Sequence, residues 1–408
     1  MNYIKNISRF LIGFVFVFSG FVKAVDPLGT AYKLTDYFNA FHMPFMSKFS
    51  LIFSIILCTT ELVIGLNLLT NILIKITSWI LFMFMSFFTI LTFFLALKNP
   101  VSDCGCFGDA IILTNWQTFF KNLIFLIPTI IVFIEKNNFK PLYKNTIQYG
   151  ISSLYLIFGV LFCIYNLSYL PIFDFRPYKI GTNIPEKMSI PEGAPSDEYK
   201  ITWIYEKNGL IKEFSTENIP TDTSWKFVDR KQVLIKKGYV PPIHDFTIIN
   251  EDGIDITDSI LHSENYIFLI ISYNLNKSKI ESFIKINQKV NELQKSKNIN
   301  VFCVTASTKD EIINFKNTLQ PVFNIFTADE ITLKTIIRSN PGVLLLKEGT
   351  ILYKWPHRKF IKEKFNTENL MAYSIEKLRK KNYIYLIKIF ILGFVCSIML
   401  FRILINKK

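Results

Sequence analysis

Residues 72–108 read ILIKITSWILFMFMSFFTILTFFLALKNPVSDCGCFG, an apolar run that ends in a loop with two cysteines separated by one glycine. A helix needs about 20 apolar residues to cross a bilayer, so the first part of this stretch predicts a membrane-spanning helix. Of the 408 residues, 50% are hydrophobic and 40 are Phe, a composition that favours a multi-pass membrane protein. Similar apolar runs predict six spans, at Ile7–Val25, Phe49–Leu69, Ile72–Leu97, Thr118–Ile134, Ile147–Leu170 and Tyr383–Ile405.

Basic residues beside the spans predict the orientation, because Lys and Arg near short loops remain on the cytoplasmic side. The groups that fall on one side are Lys5 and Arg9, then Lys136, Lys140 and Lys144, then Arg402, Lys407 and Lys408. With an even number of spans, we expect an inner (plasma) membrane protein with both termini cytoplasmic and residues 171–382 extracytoplasmic. The first run lacks a small-residue cleavage site, so we expect it to remain as an anchor.

The net charge of +14 is explained by this topology and by Lys residues scattered over the outer segment. No compact basic patch alternates with aromatic residues, which argues against nucleic acid and leaves the lipid bilayer as the first partner. Composition divides the chain into a transmembrane bundle at 1–146, a fifth transmembrane helix at 147–170, an extracytoplasmic β-rich module or linker at 171–240, an α/β domain at 241–381, and a C-terminal transmembrane helix with a cytoplasmic tail at 382–408.

Strands and helices alternate along residues 241–381 and predict an α/β sandwich. The strand Ile267–Ser272 is apolar on both faces, as expected when helices cover both sides of a sheet. The order of elements, with Asn340-Pro341-Gly342 before a strand and a turn, resembles the thioredoxin fold. This resemblance implies that Pro341 is the cis proline beside the groove of the fold.

The cysteine motif of thioredoxin-like families, Cys-x-x-Cys after the first central strand, is missing from this chain. The sequence there is Tyr273-Asn274-Leu275-Asn276-Lys277-Ser278. Cys303 falls inside an apolar strand, where we expect a buried and unreactive thiol. We therefore expect a thioredoxin-like domain that uses its groove for binding and carries out no thiol chemistry of its own.

A second resemblance covers about Ile4–Glu135. Its residues are Arg9, Gly13, Phe16–Gly20, Lys23 and Asp26-Pro27 around the first span, Glu61 and Gly65 in the second, and the loop Cys104–Asp109. They resemble the DoxX-like and methylamine-utilisation protein MauE-like family of four-helix membrane domains. The resemblance implies a role in maturing extracytoplasmic proteins, an association with methylamine dehydrogenase maturation, and kinship to thiol-oxidising domains of the vitamin K epoxide reductase type.

The fold class predicted from both resemblances is an α-helical membrane protein with an extracytoplasmic thioredoxin-like domain. Its membrane part is a DoxX/MauE-like four-helix bundle plus two further transmembrane helices.

Cys104 and Cys106 are the candidate redox pair. Two thiols separated by one residue close only a small ring, and Gly105 supplies the backbone freedom for it. Such a disulfide is strained, so it exchanges readily with other thiols. Two reduced thiols packed in a loop, or a disulfide that pins a turn, remain as alternatives. A metal site is not predicted, since structural zinc takes four ligands and the membrane half has His42 as its single histidine.

Glu61 lies well inside a predicted span, where an ionisable side chain is costly and pairs with a partner or faces a polar cavity. Counting at about 1.5 Å per residue places Glu61 closer in depth to Arg9 than to Lys23, so we expect an Arg9–Glu61 ion pair. A structural pair is favoured over a proton relay. The remaining cysteines of the membrane part, Cys58, Cys163 and Cys396, are expected to be apolar packing residues.

The segment Pro27–Pro44 has an apolar helical face. We expect an ordinary connector at the membrane surface, with a cap over Cys104 and Cys106 as the alternative.

Three functions follow from these features. The first is an accessory protein for extracytoplasmic protein maturation or thiol redox homeostasis, with client proteins or thiol partners. The second is a membrane thiol-disulfide oxidoreductase that passes electrons through Cys104 and Cys106 to a quinone-like acceptor. The third is a small-molecule transporter. The absence of an evident further cysteine pair counts against the second, and a quinone is the one cofactor considered.

Overall fold

The structure is a computed structural model that describes residues 2–101, 103–294, 299–365, 369–380, 382 and 384. The helices of the membrane part are α1 (Asn2–Val25), α2 (Pro27–Ala40), α3 (Ser50–Thr70), α4 (Ile74–Lys98), α5 (Asn115–Ile134) and α6 (Asn145–Tyr169). All of these except α2 are long and apolar enough to cross a membrane. This confirms a multi-pass membrane protein and five of the predicted spans. The sixth, Tyr383–Ile405, lies outside the described residues except for Ile384.

Helices α1 and α3 cross with their backbones almost in contact. A Cβ atom on Gly65 would lie 2.5 Å from the backbone nitrogen of Val17, and one on Gly20 would lie 2.6 Å from that of Leu62. Small residues allow this approach inside a membrane, where close packing rather than water exclusion joins helices. The crossing fixes the depth at which side chains of α1 meet those of α3.

Polar side chains join the other helices of the bundle. The Asn122 side chain on α5 donates to the Thr92 hydroxyl on α4 over 3.1 Å. A capping box formed by Thr114 and Gln117 starts α5 directly after the cysteine loop. The end of the loop is therefore held at the first turn of α5.

A short helix, α7 (Ile184–Met188), follows the bundle, and a three-stranded antiparallel sheet comes next. Its strands are β1 (Glu198–Lys207), β2 (Leu210–Ser215) and β3 (Lys226–Lys236), in the order β2-β1-β3. Within the segment 171–240, the sequence predicts strands at Lys200–Tyr205 and Ile211–Phe214, which β1 and β2 confirm. β3 was not expected, because its sequence KFVDRKQVLIK is rich in charges and every residue of it is exposed.

The second half of the chain forms a five-stranded mixed sheet in the order β6-β5-β4-β7-β8. Strands β4, β5 and β6 are parallel, whereas β7 and β8 run antiparallel to their neighbours. The strands are β4 (Tyr266–Ser272), β5 (Ile299–Thr305), β6 (Asn324–Thr327), β7 (Gly342–Lys347) and β8 (Thr350–Pro356). The helices are α8 (Thr257–Leu261), α9 (Ile280–Leu293), α10 (Lys309–Leu319), α11 (Glu330–Ile336) and α12 (His357–Phe360).

Apolar clusters cover both faces of this sheet, as the doubly apolar strand β4 predicted. The Asn340–Pro341 peptide bond is cis and directly precedes β7. The strand order and the cis proline confirm the thioredoxin-like fold. The sequence also predicts a final helix from Thr367, and the structure has helical residues at 370–380.

Candidate functional site

The site is built around the loop between α4 and α5. Gly105 takes a left-handed conformation with φ of +66°, which a side chain would oppose, and its amide donates to the Asp103 carboxylate over 3.0 Å. The amide of Gly108 then donates to the Gly105 carbonyl, also over 3.0 Å. This tight turn brings the Sγ atoms of Cys104 and Cys106 to 2.9 Å from each other. The loop therefore holds two thiols in direct contact.

Helix α2 covers this loop. The Tyr37 hydroxyl donates to the carbonyl oxygen of Cys104 over 2.8 Å, and Lys33 forms a 2.6 Å ion pair with Asp103. The apolar face of α2, including Phe38, points into a cavity of the bundle. The expectation of an ordinary connector is wrong, because this cavity gives the apolar face of α2 a partner within the protein.

A buried ion pair lies directly below the loop. Lys23 Nζ is 2.5 Å from Glu61 Oε1, and both side chains are almost fully buried. The Ser19 hydroxyl lies 2.8 Å from Glu61 Oε2 and 2.9 Å from the carbonyl oxygen of Cys106. The ion pair is thus joined to the cysteine loop through one side chain.

The expected Arg9–Glu61 pair is wrong. Arg9 Nη1 instead donates to the carbonyl oxygen of Leu68 over 2.5 Å, near the C-terminal end of α3. The last carbonyls of a helix lack partners within it, so a cation at that end is favourable. Lys23 meets Glu61 because α1 and α3 cross with Gly20 against Leu62, which places Glu61 near the depth of Ser19 and Lys23.

The two loop thiols differ in acidity. A hydrogen bond from the Cys104 thiol lowers the pKa of Cys106 to about 6, and the ammonium groups of Lys121 and Lys23 add to this effect against burial and Glu61. The same contact with Cys106, together with burial, raises the pKa of Cys104. At neutral pH, Cys106 is therefore a thiolate and Cys104 a thiol, and the thiolate is the nucleophilic form.

A cavity of about 270 Å³ opens beside the thiols, and Cys104 and Cys106 both line it. Its wall is mainly apolar, and Phe87 and Met43, which belong to it, are also exposed on the surface of the bundle. The cavity therefore reaches the lipid-facing surface. Its polar lining consists of Ser19, Lys23, Thr30, Lys33, Tyr37, Glu61, Lys121 and Asn122.

The thioredoxin-like domain is seated on the bundle beside this loop. Arg338 Nε lies 2.8 and 3.1 Å from the carboxylate oxygens of Asp26, and its Nη2 atom lies 3.3 Å from Asp109. Burial lowers the pKa of the Arg338 guanidinium, but the negative charges of Asp26 and Asp109 raise it by more, so the net effect is a raised pKa. Tyr32 of α2 shares a hydrogen bond with Tyr273, at the position where related domains begin their cysteine motif.

The groove residues therefore face the membrane part. Pro341, predicted from the resemblance, is the cis proline three residues after Arg338. Cys303 is fully buried in β5, and burial raises the pKa of its thiol, in agreement with the expected unreactive thiol.

Sequence reasoning missed Lys121 and Arg338. Lys121 carried a signal, since it is a basic residue near the outer part of an apolar run and such residues inside spans are costly. Arg338 carried none, because its partners Asp26 and Asp109 are more than two hundred residues away.

These features define a class: a multi-pass membrane protein with a dithiol loop at one end of its bundle, covered by a thioredoxin-like domain without cysteines in its groove. Residues 1–135 match the family model of Methylamine utilisation protein MauE, so this part of the chain is similar to that family. Residues 199–237, which contain the three-stranded sheet, match a domain of unknown function, DUF8463.

Among curated proteins, the chain is similar to Protein TlpB of Flavobacterium psychrophilum, with 26% identity over 189 residues. The match covers 45% of this chain and 47% of that protein, so it spans about half of its length.

Solved structures similar to part of the chain include an uncharacterized thioredoxin-like protein from Porphyromonas gingivalis, with 13% identity and a TM-score of 0.22 over 33% of this chain and 88% of that one. Another is a thiol peroxidase from Chromobacterium violaceum, with 11% identity and a TM-score of 0.24 over 35% of this chain and 85% of that one. The fold assignment rests on strand order and the cis proline.

Proposed function

We propose that this protein is a membrane thiol-disulfide oxidoreductase that acts in the maturation of extracytoplasmic proteins. The observation that carries the proposal is the 2.9 Å contact between the sulfur atoms of Cys104 and Cys106, with the cations Lys23 and Lys121 close to Cys106. Two packed structural cysteines need no difference in acidity, whereas thiol exchange uses a thiolate that attacks and leaves easily.

The reaction starts from a disulfide between Cys104 and Cys106. A client thiolate attacks the sulfur of Cys104, the S–S bond breaks, and Cys106 leaves as a thiolate beside Lys121 and Lys23. The thiol of low pKa is the better leaving group, which sets this direction. A second client thiolate then attacks the client sulfur of the mixed disulfide, and Cys104 is released. The client gains a disulfide, and the loop pair gains two electrons and keeps a proton on Cys104.

The cavity fits a lipid-soluble quinone as the group that accepts these electrons. Its aromatic lining, including Phe84 and Phe88, suits a flat ring, and the ammonium group of Lys121 on its wall is a donor for a carbonyl oxygen. A quinone, when bound, supplies two-electron oxidation of the loop thiols. An apolar wall that reaches lipid suits a ligand of this class, whereas a transporter for polar solutes needs a polar path.

The client is proposed to lie on the extracytoplasmic side, together with residues 171–382. The name of the matched family points to methylamine utilisation, and Protein TlpB shares less than half of its length with this chain. We therefore propose extracytoplasmic thiol proteins as the client class. The thioredoxin-like domain would orient them at the loop, because its groove faces α2 and the loop.

The test uses the full chain in membranes of its host. In a Cys106→Ser variant, Cys104 is expected to hold clients as mixed disulfides that reductant releases, and a Cys303→Ser variant is the matched control. A membrane-impermeant maleimide should label the reduced loop cysteines from the extracytoplasmic side. The outer layers of the cell envelope are opened without detergent, so that the reagent reaches this side of an intact inner membrane.

Full client maturation in a Cys104→Ser and Cys106→Ser double variant would refute catalysis and leave a binding role as accessory factor. The transporter would be favoured by a different result. In that case the wild-type protein carries a solute into vesicles, the double variant abolishes this flux, and the disulfides of the client stay unchanged.

A further inference from the structure

Two more cysteines meet inside the bundle, although the sequence predicted them as unrelated packing residues. Cys58 on α3 and Cys163 on α6 are both fully buried and share one small cluster with Ala24. Their side chains interact directly through the sulfur atoms. The membrane part thus contains a second thiol pair, called the helix pair here, in addition to the loop pair of Cys104 and Cys106.

The contact between the two helices is fixed on both sides of the helix pair. One turn before Cys163, a Cβ atom on Gly159 would lie 3.0 Å from Thr59 Cγ2, so a small residue lets α6 lie close to α3. Less than one turn after Cys163, the Asn166 side chain donates to the carbonyl oxygen of Ala24 over 3.1 Å. Helix α6 is therefore held at a depth that sets Cys163 against Cys58.

The helix pair lies next to the charged group that also serves the loop pair. Cys58 is one helical turn from Glu61, whose partner Lys23 acts electrostatically on both Cys58 and Cys106. Ser19 links the same glutamate to the loop through the carbonyl oxygen of Cys106. The ion pair therefore lies close to both thiol pairs.

Burial limits what can oxidise the helix pair. Neither thiol is accessible to water, so a water-soluble oxidant has no path to them in the folded protein. A disulfide of the protein itself is an oxidant that needs no path through water, and the loop pair can form one because its two sulfur atoms are in contact.

We propose that Cys58 and Cys163 form a second redox-active dithiol, which exchanges electrons with Cys104 and Cys106 and stores two electrons within the bundle. This inference rests on the proposed redox function of the loop pair. Cys58 loses its proton and attacks Cys104 in the loop disulfide, and Cys106 leaves as a thiolate. Cys163 then attacks Cys58 in the mixed disulfide and releases Cys104.

The step balances in bonds, electrons and protons. One S–S bond breaks in the loop and one forms between α3 and α6. Two electrons pass from the helix pair to the loop pair, and no external oxidant is consumed. Of the two protons that the helix pair loses, Cys104 keeps one and water at the loop takes the other. In the oxidised state a covalent bond joins α6 to the four-helix bundle.

The experiment maps the disulfides of the full chain in membranes, in a Cys303→Ser and Cys396→Ser background that keeps both pairs. Acid quenching, differential alkylation and mass spectrometry read each cysteine separately. We expect a Cys58–Cys163 linked peptide after oxidation with the membrane-permeant reagent diamide. The number of electrons needed to reduce the oxidised chain should fall by about half in a Cys58→Ala or Cys163→Ala variant, since each disulfide is a two-electron couple.

Fully alkylated Cys58 and Cys163 after diamide treatment would overturn the proposal. So would a helix disulfide that forms without diamide to the same extent when Cys104 and Cys106 are both replaced by Ser. A Ser54→Ala variant is the matched control, because Ser54 Oγ lies 3.9 Å from the Cys58 sulfur and its removal keeps both thiols.

The same spectra separate this inference from the proposed function. If the loop peptides stay reduced in every condition, the proposed function fails and exchange fails with it. If the loop pair is oxidised and reduced while Cys58 and Cys163 stay as thiols, the proposed function stands and only the helix pair is refuted.

Discussion

Replacement of Lys121 by Met tests the acidity of Cys106 on which the proposed reaction depends. The pKa of Cys106 is about 6, against an ordinary value of 9.0, and Lys121 is the first of the cations that lower it. Loss of an opposite charge a few ångströms away raises a pKa by about one unit or more. At pH 6 the thiolate fraction should then fall from about one half to about one tenth, a roughly fivefold change.

The assay is the rate of labelling of Cys106 by N-ethylmaleimide as a function of pH, read by mass spectrometry. Only the thiolate reacts, so the rate should rise as pH increases through the pKa and reach a plateau above it. The wild-type midpoint is expected near pH 6, and Lys121→Met should move it upward without changing the plateau. Lys121→Arg keeps the charge and should restore the low midpoint, and the exposed Lys98 provides a control variant, Lys98→Met.

A wild-type midpoint at the ordinary value of a free thiol would refute the reasoning. An equal midpoint in wild type and Lys121→Met would show that Lys121 does not act on the thiolate.

The remaining predictions concern the surroundings of the loop. Arg338→Met leaves the partly buried carboxylates of Asp26 and Asp109 without their cation and should weaken the seat of the thioredoxin-like domain by about 2 kcal/mol. Hydrogen exchange at α2 should speed up, whereas the exposed Arg358→Met should leave it unchanged. Tyr37→Phe removes the hydrogen bond to the Cys104 carbonyl and should lower the free energy of local opening of the loop by about 1 kcal/mol. Proteolysis of the loop should then be faster, and an unchanged rate would contradict the role of Tyr37 in holding the loop. Cys303→Ser should leave client exchange unchanged, and a loss of exchange would mean that its buried thiol takes part.

Much of the fold could be predicted because each pattern concerns neighbours in the chain. The run Ile72–Leu97 predicts a spanning helix from its length alone, and α4 covers nearly the same residues. The apolar strand 267–272 likewise predicts a sheet covered on both sides. β3 was not predicted, because strand prediction relies on alternation of apolar and polar residues and an exposed charged strand shows little alternation.

The candidate site was predicted only in part. The Cys104 and Cys106 turn is local, so its spacing and Gly105 were enough to identify it. The partner of Glu61 depends on how α1 crosses α3, which is not a property of the local sequence.

What the sequence by itself determined is therefore the set of spans, the α/β domain and the pair of loop thiols, since these follow from hydrophobic periodicity and short-range spacing. Only the tertiary structure decided that Cys58 meets Cys163, that α2 covers the loop, and that Arg338 binds Asp26. Such contacts join residues far apart in the chain, and they are set by helix rotation, crossing depth and domain seating. Free energy is minimised there by packing and charge pairing over the whole molecule, which no local pattern records.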